Sequence, residues 1–130
     1  MSDALVWQVV RNNNSFLRSQ RGIHKKFSVE KFNLKGVNSP RYSGLANKRG
    51  IDVSAAPSKN GVVVSLKNNK GQPLKAVQSV TLTKKTLKSV RNIAKGSGFG
   101  KLNKLAQRKA SAILLSQRPK KTKKHAKTEA

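Results

Sequence analysis

The sequence predicts an α+β domain: a short N-terminal helix, a small antiparallel sheet of hairpins, two C-terminal helices and a basic tail. Three observations predict it. Between Lys101 and Pro119, Leu102, Leu105, Ala106, Ala110, Ile113 and Leu114 recur on one side at helical period. Lys101, Lys104, Arg108, Ser111 and Arg118 fall on the other. Asn60-Gly61 separates the apolar runs Ile51–Ala55 and Val62–Leu66, a strong hairpin signal because both turn residues accept positive φ. Finally, 130 residues suit one domain with little to spare. We assign residues 1–118 to a compact body and 119–130 to a basic extension.

The elements follow in order. Ser2 can cap a helix over Ala4–Val10, with Asp3 at the positive end of its dipole. Leu5, Val6, Val9 and Val10 form its apolar face, although three valines and Trp7 also suit a strand. Trp7, with no cation cluster around it, is expected to serve the core rather than a partner. Asn12-Asn13-Asn14 can end the helix through left-handed geometry. Ser15–Gln20 and Ile23–Val29 read as strands around Arg21-Gly22, with Phe16, Ile23, Phe27 and Val29 facing inward. Residues 30–43 form a loop rich in Asn, Ser, Gly and Pro. Val62-Val63-Val64 marks a central strand, Asn68–Gly71 a turn, and Val77–Thr83 a further strand. Thr83 can cap a helix carrying Leu87, Val90, Ile93 and Ala94 at helical spacing. The glycine-rich segment Gly96–Gly100 lacks the dinucleotide and P-loop spacings and reads as a flexible turn. Pro119 ends the last helix and biases Arg118 toward extended geometry.

Charge is the strongest compositional signal. Twenty-nine Lys and Arg face four acids, for a formal net charge of +25. A folded chain of this charge repels itself unless a polyanion supplies countercharge. Nucleic acid is the expected polyanion. An anionic membrane would call for a strongly amphipathic helix with aromatic anchors or a lipidation motif, and none is found. There is no cysteine, which removes disulfides, thiolate chemistry and zinc knuckles. No segment reaches the roughly 20 apolar residues of a membrane span, and the acidic start Met1-Ser2-Asp3 is unlike a signal peptide.

The four carboxylates are scattered and His24 and His125 stand far apart, so no acid pair, triad or metal cluster can be assembled. His24 alone reads as a packing or RNA-facing side chain. The expectation is a binding protein, not an enzyme, with no cofactor, metal or small-molecule substrate. Candidate RNA-binding residues follow the cations along the chain. Arg11, Arg18, Arg21, Lys25 and Lys26 belong to the N-terminal third. Arg41 and Tyr42 could stack on an unpaired base or guard a phosphate, or Tyr42 could simply pack at the domain edge. Lys48 and Arg49 follow. Lys84, Lys85, Lys88 and Arg91 belong to the penultimate helix, where the first-turn lysines oppose the dipole unless phosphate lies beside them. Lys101, Lys104, Arg108, Lys109 and Arg118 belong to the last helix, and Lys120, Lys121, Lys123 and Lys124 to the tail.

Four blocks add a resemblance. DALVWQVVRNNNSFL at Asp3–Leu17, RYSGLAN at Arg41–Asn47, GVVVSLK at Gly61–Lys67 and RKASAILLSQRP at Arg108–Pro119 resemble, in order, the eukaryotic large-subunit ribosomal protein L-twenty-eight family, distinct from the bacterial protein of the same number. The resemblance implies an α+β domain on the solvent-side surface of the large ribosomal subunit. It implies contacts with rRNA, including expansion segments, and with neighbouring ribosomal proteins, in the cytoplasm after nucleolar assembly. A related ribosome-biogenesis family shares the tryptophan helix and the Tyr-x-Gly-Leu block but carries metal-binding cysteines and an acidic extension. Here Ala46 stands after Gly44-Leu45 where that relative has cysteine. A different class, a small basic chromatin or DNA-binding protein, is the alternative, disfavoured by the short tail and sheet-rich body.

Overall fold

The protein is described by a computed structural model covering residues 2–68 and 76–119. Helix α1 spans Asp3–Val10, and the Ser2 hydroxyl accepts the Leu5 N–H at 3.3 Å. The asparagines end it differently from expectation: none has positive φ. Instead Asn14 Nδ2 donates to the Val10 carbonyl at 2.8 Å, and Asn14 Oδ1 accepts the Phe16 N–H at 3.0 Å. The predicted face does not sink. Leu5 is 54% and Val9 67% exposed, and no residue of α1 is buried, Trp7 included. Trp7 is therefore not a core residue. The core is filled without α1, by the sheet and the C-terminal helices.

Strands β1, Leu17–Arg18, and β2, Phe27–Ser28, form a two-stranded antiparallel ladder pairing Leu17 with Ser28 and Arg18 with Phe27. Gly22, at φ +83°, supplies the turn geometry between them. The hairpin is far shorter than predicted, and its expected inward set is wrong. Phe16, Ile23 and Val29 are exposed, and Phe27 is only half-buried. A ladder this small presents no face for a second layer to cover.

The principal sheet has the order β3–β4–β5, with β3 at Gly50–Ala55, β4 at Val62–Lys67 and β5 at Val77–Leu82. Both pairings are antiparallel, and Val53, Val64 and Val80 lie in one row. The Val62–Val64 run is central, as predicted. In the β3–β4 turn the left-handed residues are Lys59 (φ 57°) and Gly61 (φ 103°), not the Asn60-Gly61 pair. Gly61 is obligatory on a second ground: a Cβ there would collide with the Leu82 carbonyl oxygen.

Helix α2, Thr86–Gly96, starts later than expected. Thr83 does not cap it; Lys85 occupies the cap position at φ 49°, with no side-chain cap. Lys84 and Lys85 thus precede the helix, leaving Lys88 near its positive end. A 3-10 turn at Gly100–Leu102 leads into α3, Asn103–Gln117. Arg118 is extended at ψ 139°, the geometry that the following Pro119 favours.

The core lies between one sheet face and these helices. Ile51, Val53, Val62 and Val64 meet Val90, Ala94, Ala106 and Ala110, all at most 1% exposed. Alanines at the helical contact points let the backbones approach closely. Leu102, Ile113 and Leu114 pack at the margin. The apolar stripe of α3 is as predicted, while Lys101, Lys104, Arg108, Ser111 and Arg118 are exposed. At the far end of α3, Gln117 donates to the Gly61 carbonyl (2.8 Å) and accepts the Gly61 N–H (3.0 Å), fastening the β3–β4 turn. The helices cover β3 and β4 but not β5, where Val80 is 50% exposed. The remainder of the Asn68–Gly71 turn and the lysines at 120, 121, 123 and 124 lie outside the described residues.

Candidate nucleic-acid interface

The loop that carries Arg41 and Tyr42 is built on a carboxylate that sequence reasoning treated as an isolated acid. Glu30 is 7% exposed. Its Oε2 accepts the Ser28 hydroxyl at 2.6 Å, and its Oε1 accepts Asn33 Nδ2 at 3.1 Å and the Gly44 N–H at 2.9 Å. Asn33 passes the constraint on, donating to the Val37 carbonyl at 3.0 Å and accepting the Gly36 N–H at 2.9 Å. Gly44 must be glycine because a Cβ there would strike the Lys31 carbonyl oxygen. The Tyr-x-Gly-Leu block thus has a physical cause: its glycine lets one chain segment lie against another and reach the buried acid.

A loop organised this way should be sensitive to that acid. Glu30→Ala is expected to lower stability by about 2–4 kcal/mol, because it strands buried donors that cannot reach water. Glu30→Gln retains an acceptor and should cost less, about 1 kcal/mol. Thermal melts measure both, and hydrogen exchange of residues 41–44 reports the loop. An alanine variant as stable as the parent would show that the carboxylate does not organise the loop.

On this support the cations gather. Arg41, Asn47, Lys48 and Arg49 line one surface concavity together with Asp3. Arg41 also reaches a second pocket, shared with Gly98, Phe99, Gly100, Lys101 and Leu102. Lys104 and Arg108 line a third, with Leu87, Gln107 and Ser111, between α2 and α3. Lys101, expected on the last helix, stands instead in the 3-10 turn ahead of α3, and Lys104 and Arg108 follow on α3 itself, so the cationic loop continues onto that helix. Tyr42 is half-buried, with the Arg41 guanidinium 5.6 Å and the Lys35 ammonium 5.2 Å from its ring centre. Lys35 was missed from the sequence, since only the folded loop brings it to Tyr42.

The remaining candidates divide. Arg11, Arg21, Lys25, Lys26, Lys84, Lys85, Lys88 and Arg91 are exposed but are not among the residues lining these three pockets. Arg18 folds onto its own strand, donating to the Ser15 and Leu17 carbonyls. Arg49 donates to the Ser97 carbonyl at 2.8 Å and sits 5.3 Å from the Phe99 ring centre. Lys109 pairs with Asp52 at 3.2 Å, where Asp52 is almost wholly buried. Lys67, absent from the candidates, donates to the Gly44 and Asn47 carbonyls at 2.9 and 3.2 Å. These internal bonds could not be seen in a linear count of charge. Among the described residues no group of three or more His, Cys, Asp and Glu side chains is placed to hold a metal, and no helix is long and apolar enough to cross a membrane.

The fold is a small α+β body in which Lys67 and Lys109 are engaged internally while most of the other described Lys and Arg side chains are exposed. The chain belongs to the Ribosomal L28e protein family, whose model matches residues 5–116. It is 68% identical over 117 residues to the large ribosomal subunit protein eL28 of Caenorhabditis elegans, covering 90% of this chain and 91% of that one. The protein of the same name from Schizosaccharomyces pombe is 36% identical over 132 residues, covering 94% and 97%. That from Dictyostelium discoideum is 36% identical over 98 residues, covering 72% and 73%.

Proposed function

We propose that this protein is a structural constituent of the large ribosomal subunit that binds rRNA through phosphate contacts. The supporting observation is the convergence of Arg41, Lys48, Arg49 and Lys101 from separate chain segments onto adjoining concavities, continued by Lys104 and Arg108. Among the described residues, Lys109 and Asp52 form the one ion pair within 4 Å, so these six cations have no carboxylate partner at that distance. Each phosphate they neutralise releases condensed counterions, which makes binding electrostatic and salt-dependent. The lysines of the 119–130 extension add to that charge. Base recognition is confined to unpaired nucleotides, because the deep, narrow major groove of duplex RNA is closed to side chains. The family resemblance extends the reading to the solvent-side surface, rRNA expansion segments, neighbouring ribosomal proteins and passage through the nucleolus during assembly.

Sedimentation tests the assignment. In a eukaryotic lysate the tagged full chain is expected to travel with large subunits through a moderate salt wash, and to leave them when the rRNA is digested. Recovery in the chromatin pellet, released by DNase, would replace this reading with the DNA-binding one.

A further inference from the structure

The Gly96–Gly100 segment has a role that its spacing does not disclose. Gly98, at φ +83°, turns the chain, and the Phe99 N–H is held by the Ala94 carbonyl at 2.9 Å. Arg49 locks the segment from outside through its bond to Ser97 and its place over the Phe99 ring. The result is an open pocket of about 420 Å³ walled by Phe99 and Leu102, with glycine backbone at Gly98 and Gly100 and cations at Arg41 and Lys101. That volume lies in the roughly 300–1,000 Å³ range of small-molecule sites. Among the described residues no acid lines it, and Arg41 connects it to the concavity holding Lys48 and Arg49.

We propose that this pocket receives the base of a single unpaired RNA nucleotide, with Arg41 and Lys101 on its phosphates. The inference rests on the RNA-binding reading above and gives it a base-sized subsite. Three features select such an occupant. The aromatic and apolar walls suit a nucleobase face. With no side chain at Gly98 or Gly100 a base edge can approach the backbone there, where the Gly98 N–H is already given to the Lys95 carbonyl at 3.3 Å. The two cations match phosphates on either side, and Lys48 extends that charge along the strand. A paired base cannot enter, because it would have to leave its stack first.

Gly100 makes the test clean. It lines the pocket, its φ lies outside the left-handed region, and a Cβ there meets nothing within 4 Å. Gly100→Leu therefore adds a branched side chain at the pocket wall without forcing the backbone. The probes are two RNA hairpins of identical length, one with a bulged adenosine and one with an abasic residue at the same position. Their phosphate counts are equal, so electrostatic binding is the same for both. The wild-type chain should bind the adenosine hairpin roughly 5- to 150-fold more tightly, the range for stacking of one base. Gly100→Leu should lose that preference and bind the two hairpins alike. Equal wild-type affinities would overturn the subsite and leave phosphate binding intact, as would a preference that Gly100→Leu does not change. Salt-insensitive binding of both hairpins would instead overturn the RNA reading beneath it. Should Gly100→Leu melt early, the wild-type chain decides with 2-aminopurine at the bulge. Protection of its fluorescence from acrylamide supports the pocket, and quenching equal to that of free RNA refutes it.

Discussion

Ala110→Asp is expected to abolish the cooperative thermal transition of the free protein, whereas Ile113→Asp should lower its midpoint but leave a transition to measure. Both positions lie on the apolar stripe of α3, and sequence periodicity treats them alike. The structure separates them. Ala110 is 0% exposed and packs among Ile51, Val53, Val90 and Ala106 within the core cluster. A carboxylate there has no room and no counterion, so it meets the penalty of a desolvated, unpaired charge, several kcal/mol even after relaxation. That approaches the whole stability of a small domain, about 5–15 kcal/mol. Ile113 is half-buried at the margin, where a carboxylate can turn toward water. Its cost should be the lost apolar contact, roughly 1–3 kcal/mol. Circular dichroism melts of both variants at one ionic strength provide the comparison. A folded Ala110→Asp protein with a wild-type midpoint would mean that α3 does not seat on the sheet as described.

That contrast shows what the sequence could and could not convey. Periodicity located α3 and its two faces because the alternation of Leu, Ala and Lys there is governed by local geometry. The Asn-Gly pair located the β3–β4 turn, and Pro119 the helix end, for the same reason. Depth was not legible, since it depends on which elements cover which. Trp7 and Val9 look like core residues in isolation, yet α1 stays at the surface. Val80 continues the Val53–Val64 row, yet the helices stop short of β5. Capping was half legible: Ser2 caps α1, but Thr83 loses its expected place because the chain turns at Lys85. At the candidate interface, residue type named Arg41, Lys48, Arg49 and Lys101 but could not gather them. Neither could it show that Glu30 holds the loop presenting Arg41, or that Arg49 and Lys109 are already engaged by Ser97 and Asp52. Local patterns carry elements, and tertiary contacts decide the roles of residues between them.

The largest effect in solution should be that of salt. If around ten phosphates are neutralised, log K for large-subunit rRNA falls against log salt with a slope near −7 to −9, a loss of roughly four to five decades between 50 and 200 mM. The triple change Lys101→Gln, Lys104→Gln and Arg108→Gln isolates the share of the α3 face together with the 3-10 turn that leads into it. Glutamine stands close to lysine and arginine in helix propensity, and all three side chains are exposed, so the fold should be spared. Removal of three like charges also relieves self-repulsion in a chain of net charge +25, and the free protein should melt no earlier than wild type. Binding should suffer instead. Three lost phosphate contacts reduce the magnitude of the slope by about 2 to 3 and weaken affinity near 0.1 M salt by roughly a hundredfold or more. Slope and affinity must change together. Lower affinity with an unchanged slope would point to altered shape rather than lost ion contacts. Wild-type affinity and slope would mean that the α3 cations are only solvated, placing the phosphate contacts on the Arg41–Arg49 loop and the other basic residues.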